Sequence, residues 1–165
     1  MFNAQMRGLE RHAWWGLAFF TALLAIFGVT DVLAGASADV AIATSLSGLK
    51  LAELEAESPT VYRLFDFFTR VNGFSLVLAG LLGTAVVVFA YRRQRRWAWW
   101  TMWVLPAWGV GAALFYVVAG LAPGQPPPPP MVGGPIIALL SAAILLVSSR
   151  PFFRPREDDS LEGAQ

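Results

Sequence analysis

Four apolar blocks, each long enough to span about 30 Å of hydrocarbon as a helix of about 20 residues, dominate the chain. They run over residues 13–32, 73–91, 99–121 and 131–149, and no ionisable residue lies in the middle of any of them. A soluble protein buries such helices in a large core. Here the blocks take up so much of a 165-residue chain that little remains to bury them. The expected fold is therefore all-α: a polytopic membrane protein, an antiparallel four-transmembrane-helix bundle with a partly helical outer loop over residues 33–72. Residues 1–150 form the transmembrane domain, and residues 151–165 form a polar cytoplasmic tail expected to be disordered.

Composition agrees. Charged residues make up 14% of the chain, against about 25% in soluble domains, and mean hydropathy is +0.57. With no cysteine the chain has no disulfide and no thiolate ligand, and one histidine cannot build a site of several imidazoles. No metal, cofactor or nucleic-acid partner is expected.

The basic residues set the orientation. Arg7 and Arg11 precede the first block, Arg92, Arg93, Arg95 and Arg96 join the second to the third, and Arg150, Arg154 and Arg156 follow the fourth. Nine of the 12 basic residues thus fall on one side, which places both termini in the cytoplasm. Trp14, Trp15, Trp97, Trp99, Trp100 and Trp103 lie beside these arginines, where an interfacial aromatic belt belongs. Ala34-Gly35-Ala36 has the form of a signal cleavage site, but the apolar stretch before it exceeds the roughly 7–15 residues of a signal core.

Local features refine the picture. In the outer loop, LKLAELEAE mixes two periods and leaves its structure open, whereas Ser58-Pro59 reads as a helix start. Val61, Leu64, Phe65 and Phe68 then share one helix face, and Asn72-Gly73 marks a bend before the second span. The five prolines 126–130 predict a stiff polyproline strut of about 15 Å, and Pro106 predicts a kink in the third span. Packing seams of small residues are expected at Ser75, Ala79 and Gly83, at Ala107 and Gly111, and at Gly134, Ala138 and Ala142.

Chemistry is sparse. A proton-coupled exporter or ion pump needs an ionisable residue inside a span, and only Asp31, near an outer end, comes close. No residue is assigned as catalytic. The candidate site is an outer polar cluster of Asp31, Glu57, Tyr62, Arg63, Asp66 and Arg70 above a cavity beneath Trp108 and Tyr116, with three roles open to Asp31: facing water, capping a neighbouring helix, or pairing with Arg63 or Arg70. On the other side, Arg92, Arg93, Arg95 and Arg96 are expected to contact anionic lipid headgroups.

The stretch RLFDFFTRVNG…FAYRRQRRWAWWTMWVLPAWG resembles stretches of small bacterial four-span membrane proteins of the DoxX-like group and neighbouring domains of unknown function. That resemblance implies a four-helix fold in the bacterial inner membrane and carries no catalytic residues with it. The leading expectation is a non-enzymatic accessory or interaction subunit, with membrane lipids and either a second copy or another membrane protein as partners. The alternative is a binder, carrier or enzyme for a lipid or other hydrophobic molecule, working through the outer cluster.

Overall fold

Apolar segments of this length satisfy their backbone donors and acceptors internally by coiling into helices. The computed structural model describes residues 2–153 and contains only helices and turns among the described residues. Helix α1 (Phe2–Ala34) ends in a tight 3-10 turn (Gly35–Ala38), and the short helices α2 (Val40–Ser47) and α3 (Leu51–Glu57) follow. Helix α4 (Pro59–Val86) runs on into a π turn (Val87–Tyr91). The chain closes with α5 (Arg96–Thr101), α6 (Val104–Ala119), α7 (Pro129–Val147) and α8 (Arg150–Phe153). Four helical stretches, His12–Ala38, Pro59–Tyr91, Arg96–Ala119 and Pro129–Val147, are long and apolar enough to cross a membrane. The polar tail expected after residue 153 lies outside the described residues.

Helix α4 begins at Pro59 and passes through Asn72-Gly73 without the expected bend. Gly73 serves packing instead. A Cβ there would sit 2.7 Å from the Gly28 carbonyl oxygen, and one on Gly28 would sit 2.5 Å from the Gly73 oxygen. One turn of the seam further on, a Cβ on Gly80 would lie 2.5 Å from the Ala25 nitrogen. Residues 28, 25 and 21 of α1 thus meet 73, 80 and 84 of α4 in reverse order. Thr21 and Thr84 complete the seam with a 2.9 Å hydroxyl–hydroxyl bond.

Helices α6 and α7 repeat the device. A Cβ on either Gly109 or Gly134 would lie 2.4 Å from the other's carbonyl oxygen, and Ala138 packs beside them. The main contacts join α4 to α1, α1 to α7 and α7 to α6, so α1 and α7 are central and α4 and α6 flank them. The expected seams are corrected in part. Gly83, Gly134 and Ala138 are at contacts, but Ser75, Ala79 and Ala107 are exposed and a Cβ on Gly111 meets nothing within 4 Å. A spacing of four identified small residues, whereas the α4 seam recurs every seven, at Gly73 and Gly80.

Prolines shape the remaining turns. Pro106 has no N–H for the Met102 carbonyl, which takes the Leu105 N–H at 3.1 Å instead. The expected kink is therefore a break at Met102–Trp103, between α5 and α6. Of the five consecutive prolines, Pro128 caps α7 in an extended conformation, while Pro129 and Pro130 already belong to its first turn. The strut is accordingly shorter than the sequence suggested. Helix α2 braces this connection: Ser45 Oγ donates to the Pro126 carbonyl at 2.8 Å, and the Ala122 N–H donates to the Ser45 carbonyl at 2.9 Å. The ambiguous segment at 51–57 is helical, opened by the Lys50 N–H donating to the Glu53 carboxylate.

The core is centred at the arginine-rich end, on Leu17, Val87, Tyr91, Trp99, Met102 and Leu145. Trp99 departs from the expected belt. It is buried, and its Nε1 donates to the Leu145 carbonyl at 2.9 Å, whereas Trp15, Trp97 and Trp100 are exposed.

Overpacking a tight site costs about 1–3 kcal/mol. Gly28→Val is expected to lower stability by at least that much in detergent. Gly111→Ala, with open space around it, should be neutral or stabilising by up to about 1 kcal/mol. Thermal unfolding followed by helical circular dichroism checks both.

Candidate functional site

Each end of the helix assembly carries polar chemistry. At the end where α1 finishes, Gly35 takes a left-handed conformation (φ +57°), reversing the chain beneath α4. Asp66 and Arg70 of α4, one helical turn apart, close over it. Arg70 Nε donates to Asp66 Oδ2 at 2.9 Å, and Asp66 Oδ1 accepts the Ala36 N–H at 2.9 Å. Arg70 Nη1 donates to the Val32 carbonyl at 2.6 Å and to that of Leu33 at 3.3 Å. A guanidinium thus binds the unsatisfied carbonyls at a helix C-terminus, where the helix dipole also favours positive charge. A Cβ on Gly35 would fall 2.0 Å from Asp66 Oδ1, so this clasp requires glycine.

The predicted outer cluster divides. Asp66 and Arg70 form the clasp, with Tyr62 in electrostatic reach of Arg70. Arg63 is exposed and reaches only the Pro59 carbonyl, at 3.4 Å, and Glu57 is exposed at the end of α3. Asp31 pairs with neither arginine. Its buried side chain bonds to Asn72, and Asp39 and the half-buried Tyr116 of α6 lie within electrostatic reach of it. Trp108 is exposed. Asn72, Asp39 and Tyr116 were not singled out as partners for Asp31, because they come from three separate segments with no shared spacing. The burial of Asp39, just beyond α1, holds its carboxyl above the ordinary carboxylate range.

At the opposite end the arginine-rich turn is built by capping. Gln94 takes a left-handed conformation (φ 55°), its N–H bonds the Tyr91 carbonyl at 2.8 Å, and the Arg95 N–H bonds the Ala90 carbonyl at 3.1 Å. This is the paired pattern of a Schellman cap, which usually has glycine at the left-handed position. The π turn before it delivers Tyr91 to the interior. Ser148 Oγ donates to the Ile144 carbonyl, so the Tyr91 hydroxyl donates to Ser148.

Arg92 stands over the Trp14 ring, 5.2 Å from its centroid, and Trp14 stacks on Trp15 at 4.2 Å. Arg96 Nε donates to the Phe152 carbonyl at 3.0 Å, tying α5 to α8, and all four arginines are exposed. Between these elements lies a groove of about 370 Å³ lined by His12, Trp14, Tyr91, Arg92, Gln94 and Phe152, among others. No group of three or more metal-ligating side chains occurs among the described residues.

Two outcomes are expected. Gly35→Ala combines left-handed strain of about 1–2 kcal/mol with displacement of Asp66, and should lower the unfolding temperature more than Arg70→Met, which loses only the capping by a solvent-exposed guanidinium. Asp39 behaves differently. A desolvated carboxyl opposes folding once ionised, so its penalty is absent in acid below the ordinary carboxylate range and fully present at neutral pH. Asp39→Asn should therefore raise the unfolding temperature at neutral pH and converge on the parent protein in acid.

The chain matches no family model, no curated protein and no solved structure.

Proposed function

We propose that the chain is a multi-pass protein of the bacterial cytoplasmic membrane, an antiparallel four-helix bundle with both termini cytoplasmic, which works as a non-enzymatic accessory or interaction subunit. Burial supports membrane insertion. Only 22–28% of the most apolar window of each long helix is buried in the protein, and the rest carries side chains that need an apolar surrounding. The asymmetry of the basic residues supports the orientation, and the resemblance to DoxX-like proteins agrees with the compartment.

The observation that carries the interaction role lies on α4. Phe67, Val71, Phe74, Leu78 and Leu81 are all exposed and recur at alternating spacings of four and three, the repeat by which one helix presents a seam to another. Ser75 and Ala79, exposed beside this stripe, allow close backbone approach. Because α4 flanks the assembly, the stripe faces outward and has no partner among the described residues.

The lipid-handling alternative draws less support from the outer cluster, since Asp66 and Arg70 hold the end of α1. It keeps support from the groove at the arginine-rich end.

A photoactivatable side chain in place of Leu78 tests the interaction role. In native membranes it is expected to cross-link to a discrete protein species, a second copy or another membrane protein, while the same probe at the exposed Val118 of α6 labels lipid. Equal, lipid-only labelling at both positions overturns the role. Topology has its own check. The chain lacks cysteine, so Ser47→Cys and Ser160→Cys give unique thiols, expected to react with an impermeant reagent from outside and inside respectively. The reverse pattern overturns the orientation.

A further inference from the structure

The turn that carries the four arginines has a conformation its sequence does not favour. Gln94 occupies the left-handed position of a helix cap, where glycine is the less strained residue. A strained non-glycine residue points to a use for its side chain, and Gln94 is among the residues lining the groove. The π turn next to it belongs to a class of distortion frequent at functional sites. It brings Tyr91 and Arg92 to the same wall.

The groove is suited to an anion. Arg92 is held in place by the Trp14 ring and, among the described residues, has no carboxylate partner. Among the described residues no aspartate or glutamate lines the cavity, whereas His12 and Gln94 supply further polar groups. At about 370 Å³ it falls in the range of small-ligand sites, about 300–1,000 Å³.

The surroundings select the anion's source. Trp15 lines the groove, and on the same helix Phe19 continues an exposed apolar track toward the middle of the span; the two are 60% and 62% exposed. A free phosphate leaves that track bare. An amphiphile covers it.

We propose that this groove binds one anionic phospholipid of the leaflet at the arginine-rich end, its phosphodiester received by Arg92 and Gln94 and its acyl chains lying along Trp15 and Phe19. This rests on the membrane reading above and deepens the expected diffuse attraction of Arg92, Arg93, Arg95 and Arg96 into a defined site. Arg92 and Gln94 act at the phosphate; Arg93, exposed on the same turn and outside the lining, adds only charge near the surface.

The test uses the full chain in mild detergent, titrated with phosphatidylglycerol or phosphatidylcholine and read by native mass spectrometry. One phosphatidylglycerol is expected to be retained, at least about tenfold more tightly than phosphatidylcholine. Arg93→Gln should weaken it by no more than the roughly fivefold due to one surface charge. Arg92→Gln should weaken it by at least about tenfold more than that control. Gln94→Gly, which relieves the backbone and preserves the cap, should still weaken binding while leaving the unfolding temperature unchanged or raised.

Equal losses for Arg92→Gln and Arg93→Gln would show diffuse attraction and overturn the site. So would equal retention of the two lipids, or no retention. Flotation with phosphatidylcholine vesicles separates the two levels: a chain that fails to float refutes the membrane reading, and one that floats without preferring phosphatidylglycerol refutes the site alone.

Discussion

Backbone-to-backbone contact between α1 and α4 is the constraint on which the rest of the molecule depends. Where Gly28 meets Gly73 and Gly80 meets the Ala25 backbone, the helices approach more closely than any side chain permits. Between apolar helices in lipid, where no hydrophobic force separates helix from tail, such close packing is the main source of association. The approach also sets the geometry beyond the seam. It fixes where α1 ends beneath α4, and so places Gly35 under Asp66 and the last carbonyls of α1 within reach of Arg70. The seam and the clasp form one mechanical unit, with the polar contacts positioned by the apolar ones.

The two ends of the assembly spend their charge differently. At the clasp, Arg70 has its donors committed to Asp66 and to backbone carbonyls, a structural use of charge. At the other end, Arg92 rests on an indole and lines a groove with no acid among the described residues of its walls. Arginine is suited to both tasks because its planar group can stack and donate several hydrogen bonds at once. What distinguishes a cap from a binding surface here is whether the protein itself supplies the acceptors.

The blocks of apolar residues made the four long helices legible in the sequence, and the helix start at Ser58-Pro59 followed from the stereochemistry of proline. The end of the second span was less legible, because Asn72-Gly73 suits a bend as well as a close helix contact and only Gly28, far away in sequence, decides between them. The outer cluster was half legible. Asp66 and Arg70 share a helix face, which spacing reveals, but the acceptors on α1 and the Asp31–Asn72 contact depend on how α1 and α4 are set against each other. The groove could not be read from the sequence: RRQRR shows charge, while the left-handed Gln94 and the π turn that form its wall are consequences of capping geometry.

The pairing of α1 with α4, and of α6 with α7, has a consequence for how the chain is made. Each tight pair is drawn from one contiguous half of the sequence, and its closest backbone contacts, Gly28–Gly73 and Gly80–Ala25 or Gly109–Gly134, lie within that half. The first pair can therefore lock while the second is still being synthesised. The Gly16–Ile144 contact, with the Ser45–Pro126 and Tyr91–Ser148 bonds, then joins the two hairpins. Assembly then amounts to the docking of two preformed units, and a defect in one glycine seam would leave the other pair intact.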